Sequence, residues 1–282
     1  MTSTPDNDSP RTDFPVKLGA MLFTLVDPHV GHEVAYNRWY ERDHFYGGCM
    51  VGPWILAGSR WVSPRSHKDL RFPADSGVAV PTDAGSYLAT YWVEKEHWPE
   101  HFEWSTGQVF KLYEAGRGFD ERTHAHTVLY TYQTAFYRDP DGVPVELALD
   151  HRFGGLVSIH VDRAEGVKHP AFDEWFEDEG RSILFGPSAD GAGSPVAMAT
   201  SWRPIIPRTP AGELSPMQLG SGPGTPARSL HMCFVDTDPA TCWDRFVDYG
   251  AAIDASGLAT VTLAAPFIPT IVGTDTYTDQ LW

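Results

Sequence analysis

Asn37-Arg38-Trp39-Tyr40-Glu41-Arg42-Asp43-His44 is the stretch on which the fold reading turns. Tyr36, Trp39, Tyr40 and then Asp43 or His44 follow the spacing of one helical face. An aromatic stripe thus ends in two groups able to move protons. The pattern recurs as Asp173-Glu174-Trp175-Phe176-Glu177-Asp178-Glu179-Gly180, with the Trp kept, Phe176 in place of Tyr40 and Gly180 in place of His44. One copy carries acid–base groups and the other lacks them.

Outward from these two stretches the chain repeats one order. Residues 17–26 read as a buried strand closed by Asp27-Pro28, and a helix over 29–46 stops at Gly47-Gly48. Strands over 54–62 and 86–94, a helix over 99–115 and a strand over 127–137 follow, then the turn Asp139-Pro140-Asp141-Gly142. The second half gives a strand at 155–162, a helix at 170–185, strands at 196–206 and 229–236, a helix at 239–255 and a strand at 259–272. Both halves read β-α-β-β-α-β, the ferredoxin-like order. The predicted class is α+β: two tandem ferredoxin-like units, 16–140 and 153–282, the second with a C-terminal tail. Their sheets bury their open faces against each other as an intrachain pseudo-dimeric α/β barrel. Residues 1–15 read as a flexible polar leader. The connections at 63–85 and 207–228 are rich in Pro, Ser, Asp and Gly, which predicts mobile lids at the barrel ends.

A net charge of −16 disfavours nucleic acid and anionic membranes as partners. Ten Trp, 11 Tyr and 15 Phe favour an aromatic-lined pocket for a small hydrophobic molecule. Cys49, Cys233 and Cys242 lack CxxC spacing and read as reduced thiols of a cytoplasmic protein, monomer or homodimer. HExxH, GxSxG, a P-loop and a Rossmann fingerprint are all missing, and no metal is expected.

Trp39-Tyr40 followed by His44, on the first helix of a β-α-β-β-α-β unit, resembles the dimeric α/β-barrel superfamily and its EthD-like branch. Pro53 to Arg60 resembles the segment that follows that helix. By motif the resemblance covers residues 20–62, and by topology both halves. It implies one of several chemistries: small lyases, isomerases, cyclases, cofactor-free monooxygenases or haem enzymes.

Within that range His44 is the expected acid–base, with Tyr40 donating to a developing oxyanion and Asp43 orienting the imidazole or acting itself. His160 and His231 are both aimed by strand alternation at the barrel interior, as a polar pocket wall or a haem or metal ligand pair. Trp39, Tyr91 and Trp92 complete the substrate-binding set. His124-Ala125-His126 and His29/His32 read as surface histidines. The expected function is a cofactor-independent lyase or isomerase on a cyclic or aromatic metabolite. A haem-dependent or oxygen-using enzyme and a non-catalytic carrier of an apolar ligand are the alternatives.

Overall fold

The computed structural model describes residues 14–188, 191–206 and 226–282. Strand β1 (Leu18–Pro28) leads to helix α1 (Glu33–Trp39), which continues without a break as a π-helix over Tyr40–Met50. β2 (Ile55–Val62), the single turn α2 (Arg65–Lys68), β3 (Tyr87–Glu94), α3 (Trp98–Glu114) and β4 (Arg122–Tyr137) complete the first half. The second half comprises β5 (Gly155–Arg163), α4 (His169–Trp175), a π turn over Phe176–Gly180, α5 (Arg181–Phe185), β6 (Val196–Pro204), β7 (Arg228–Val235), α6 (Trp243–Ser256) and β8 (Ala259–Pro269).

The eight antiparallel strands close into one barrel, ordered β1-β3-β2-β8-β5-β7-β6-β4. Each half contributes four consecutive strands in the ferredoxin-like order, β4-β1-β3-β2 and β8-β5-β7-β6. The joints between halves are β2 with β8 and β4 with β6, so no sheet edge is left open. Strand alternation then separates an interior from two outer layers. Met21, Phe23, Leu25, Leu88, Trp92, Leu156, Met232 and Phe234 fill the barrel. Val157, Ile159, Val161, Phe172, Phe246 and Ile253 seal the second half's sheet to its helices. Tyr36, Trp39, Tyr40, Ala89 and Tyr91 do so in the first half.

Three expectations need correction. The first concerns β7. Leu230, Met232 and Phe234 point into the barrel, and His231 and Cys233 face the helices. His160 and His231 are therefore on opposite faces of the sheet and do not form a pair. Both faces of β7 are buried, so its hydrophobic alternation carries no sign.

The second concerns Gly47-Gly48, which do not end the first helix. Gly47 accepts a hydrogen bond from Gln108 Nε2 at 2.7 Å, and a Cβ on Gly48 would lie 3.1 Å from Leu112 Cδ1. These glycines permit close approach rather than a stop.

The third concerns residues 63–85, which pack as a plug instead of forming a mobile lid. Arg71 donates to the carbonyls of Thr82, Ala84 and Gly85, and Asp27 accepts from the amide of Ser86. With its backbone carbonyls tied down by Arg71, the segment delivers Val78 and Ala79 to the barrel core. Of the other connection, 207–225 lies outside the described residues.

The tail after β8 crosses back to the first half. Asn37 Nδ2 donates to Thr274 O at 2.8 Å, Gly273 N donates to Glu41 Oε2 at 3.0 Å, and Asp275 pairs with Arg38. Leu281 is fully buried among Tyr36, Trp39 and their neighbours. Deleting Leu281 and Trp282 is expected to lower stability by about 2 kcal/mol in urea titration, the value of one buried leucine. An unchanged midpoint would show that the tail does not hold α1.

Candidate functional site

The two halves differ most between helices and sheet. α6 buries Trp243, Phe246, Tyr249, Gly250 and Ile253 against the second sheet. α3, its counterpart, buries only His101 and Leu112. Leu22, Thr127, Leu129 and Phe119 beneath it stay half-buried. The layer over β1 and β4 is therefore less tightly covered in the first half, a shallow cleft by this measure, and the π-helix places the half-buried His44 there. π-helical turns often mark functional positions, because the wider turn re-aims a side chain.

His44 is half-buried and stacks on Trp39 (centroids 5.1 Å, 27°), which stacks in turn on Phe119 (5.3 Å, 23°). Arg122 lies over the Trp39 ring at 4.7 Å. The His44 Nε2 atom meets Cys49 Sγ at 3.7 Å. At Gly48 a Cβ would press on Leu112 Cδ1 at 3.1 Å and touch His44 Nδ1 at an ordinary 3.5 Å, so Gly48 lets α3 and the imidazole pack close to the π-helix. Desolvation, followed by the charges of Arg122 and Arg60, pushes the His44 pKa down to about 3. The imidazole is therefore neutral at physiological pH, with a lone pair available.

Tyr40 is buried behind His44. Its hydroxyl pairs with Tyr91 OH at 2.7 Å, and Arg60 lies 4.4 Å over its ring. Burial holds both phenols far above their ordinary pKa and raises the Cys49 thiol to about 12. Tyr40→Phe should therefore leave the Tyr91 hydroxyl only the weaker Cys49 thiol as partner and cost about 1 kcal/mol in chemical denaturation. A cost near zero would mean that Tyr91 finds another partner.

Asp43 does not orient the imidazole. Its oxygens accept from Arg42 Nε and Arg117 Nε, each at 2.8 Å. Desolvation opposes its charge, but these two hydrogen bonds outweigh that and hold the carboxyl below its usual range. It anchors Arg117 at the cleft rim. Trp92 lies in the barrel interior against Trp202 and Phe234, apart from His44. His160 belongs to the interior as well.

His124 is the residue that sequence reasoning missed. Far from being a surface histidine, it comes from the first turns of β4 and faces the cleft. Arg122 Nε donates to His124 Nε2 at 3.3 Å, so Nδ1 carries the proton and donates to Thr127 Oγ1 at 2.7 Å. Desolvation, then Arg122 and His44, lower its pKa to about 3. With both nitrogens engaged, His124 is a wall of the site, and His44 is the histidine with a free position. His126, its neighbour, is fully buried in the barrel.

The corresponding space of the second half is filled. Phe176 stacks on His231 at 4.0 Å, and Tyr249 OH meets His231 Nδ1 at 2.7 Å. A Cβ at Gly180 would lie 3.1 Å from Trp175 and 3.2 Å from Tyr249. Glycine there is required by packing, and a histidine does not fit.

Neutral buried histidines make folding pH-dependent. His44, His124, His126 and His231 all have pKa values lowered to about 3, desolvation being the largest cause in each. Between about 6.5 and 3 the unfolded chain binds protons that the folded chain refuses, so stability falls as pH falls through that window. Each such group contributes up to about 1.4 kcal/mol per pH unit. Urea midpoints measured from pH 7 to 4 should drop steadily, and flat midpoints would contradict neutral burial.

No family model matches the chain, and no curated protein matches it. Solved structures do match the fold. A chlorite dismutase-like protein aligns over 94% of this chain and 100% of its own, with 10% identity and a TM-score of 0.50. A DypB variant from Rhodococcus jostii RHA1 in complex with heme aligns over 93% of this chain and 96% of its own, with 9% identity and a TM-score of 0.50. The architecture is thus that of the dimeric α/β-barrel proteins, as expected. These neighbours overturn the expectation of a cofactor-free lyase or isomerase: the shared architecture is one that holds haem in DypB. Among the described residues no helix is long and apolar enough to cross a membrane.

Proposed function

We propose that the chain is a haem-dependent oxidoreductase, and that His44 and the residues around it in the first half would hold the haem. The observation that carries this reading is the state of His44. It is a neutral, half-buried imidazole with Nε2 engaged by Cys49 and, among the described residues, no hydrogen-bond partner at Nδ1. Ligating histidines generally hold one nitrogen for the metal and fix the ring through the other. The donor set suits the group in other respects. Trp39, Phe119, Leu22 and Leu129 offer an apolar wall, and Arg117 and Arg122 supply positive charge for carboxylates at the rim.

When bound, haem would supply oxidation chemistry with peroxide or oxygen. The chain's own residues do the rest. Trp39 fixes the imidazole plane by stacking, and the Cys49 contact engages its Nε2. Tyr40 and Tyr91 remain protonated behind it. His124, held neutral with its Nδ1 proton on Thr127, lines the sheet side of the cleft as a polar contact for a substrate. A hydrophobic aromatic substrate suits the stacked wall.

The recurrence of Trp39 as Trp175, each followed by a π turn at Tyr40 and Phe176, supports reading the halves as tandem copies with an EthD-like first helix. The second copy would have closed its site with Tyr249. Three unpaired cysteines support a cytoplasmic location. The test is absorption spectroscopy on protein expressed with a haem precursor supplied. A Soret band that copurifies with the chain is expected, and its absence from protein saturated with hemin would refute the reading. Binding of apolar ligands without a Soret band would favour a carrier instead.

A further inference from the structure

The barrel interior holds a second polar cluster, separate from the cleft and independent of haem. Asp162 and Arg228 lie opposite each other on β5 and β7. Arg228 Nε and Nη2 donate to the two carboxylate oxygens at 2.8 and 2.9 Å, while Nη1 is buried with no partner. His160, two residues before Asp162, is fully buried. Its Nδ1 meets Tyr130 OH at 3.4 Å, and its Nε2 also has no partner. Tyr130 OH meets His126 Nε2 at 2.9 Å. The rings of Phe23 and His126 stand edge-on to His160, each with centroids 5.3 Å away.

Two buried hydrogen-bonding groups left unpaired are costly, and each is worth an explanation. The Arg228 Nη1 protons can only donate. After desolvation, the Arg228 charge contributes to the lowered pKa of both His126 and His160, so the guanidinium is within electrostatic reach of both rings. The ion pair and the neutral imidazoles sum to no charge, but the Asp162 carboxylate is the more exposed partner (27% against 4% for the Arg228 side chain), which leaves the guanidinium facing inward. The plug closes over this end. Ser76 Oγ donates to Thr262 O at 2.7 Å, Gly77 would bring a Cβ within 3.6 Å of Arg228 Nη2, and Val78 and Ala79 are buried. Under that cover a metabolite-sized anion has no room.

We infer that this end of the lumen is a binding site for one small monovalent anion of halide or nitrate size, held by Arg228 Nη1 and His160 Nε2. The guanidinium only donates, and with Nδ1 accepting from Tyr130 OH the neutral His160 carries its proton on Nε2 and donates there too, so the occupant must accept from both. It must be small because the plug and the Phe23 ring enclose it. Because Asp162 already offsets the guanidinium, the cluster can take up no more than one negative charge.

Bromide is the probe. Crystals of the full chain grown in sodium bromide should show an anomalous peak within ~3.5 Å of both nitrogens. In solution, bromide should raise the thermal midpoint saturably beyond sulfate at equal ionic strength, because a ligand bound only to the folded state stabilises it. His160→Phe should abolish the saturable rise. Should that variant fail to fold, Arg228→Gln combined with Asp162→Asn removes the pair without stranding a charge, and should abolish it equally. A lumen without bromide, or one with a water at that position, overturns the site. So does a saturable rise that survives in the folded variant.

Discussion

On the proposed function, His44→Ala is expected to give a folded chain without a Soret band, and any peroxide-dependent oxidation of aromatic substrates should fall by about a hundredfold or more. Loss of an outer partner to a metal ligand already costs roughly 10- to 100-fold, and loss of the ligand itself exceeds that. The structural cost is smaller. The variant loses the stacking of His44 on Trp39, worth about 1 kcal/mol. The two effects separate cleanly when circular dichroism and urea titration accompany the activity assay. His231→Phe serves as the comparison, because His231 is enclosed by Phe172, Phe176 and Tyr249 and should leave the Soret band intact. Full turnover in folded His44→Ala would move the catalytic centre out of the cleft.

Phe234→Ala gives the largest expected loss of stability, about 3–5 kcal/mol. Phe234 is fully buried inside the barrel, and its ring meets those of Trp61, Trp92 and Phe153. Three large rings converge on one position, so neighbouring side chains cannot collapse into the space it leaves. The whole stability of a domain is on the order of 5–15 kcal/mol, so this one change consumes a large part of it. The urea midpoint should fall with the slope unchanged. A loss below about 1 kcal/mol would mean that the interior is not packed as described.

The barrel was legible because its signals are local. The Trp39 and Trp175 stretches repeat at helical spacing, and the alternation of strands with helices gives the ferredoxin-like order twice. The asymmetry between His44 and Gly180 was legible too, since a residue type can be read where a contact cannot. The face presented by β7 could not be read. Leu230, Met232 and Phe234 alternate with His231 and Cys233, and both sets are buried, so only the tertiary register decides which set points inward. His124 was hidden for a different reason. The run Arg122-Thr123-His124-Ala125-His126 has no apolar alternation, yet it pairs with residues 25–28 of β1 and so extends β4 by five residues. The plug at 63–85 was misread because polar composition was equated with exposure, whereas Asp27 and Arg71 satisfy its backbone from within. The proposed cofactor could be read from the sequence only as an alternative. A neutral histidine on an aromatic wall serves proton transfer and metal ligation alike, and the sequence displays the residue without its ligand.

Titration of the haem-free chain with hemin, followed at the Soret maximum, tests the central claim most directly. The account predicts saturation at one haem per chain, no saturable binding by folded His44→Ala, and unchanged saturation by His231→Phe. Saturable binding of equal affinity by wild type and His44→Ala would contradict it, as would two haems per chain or none.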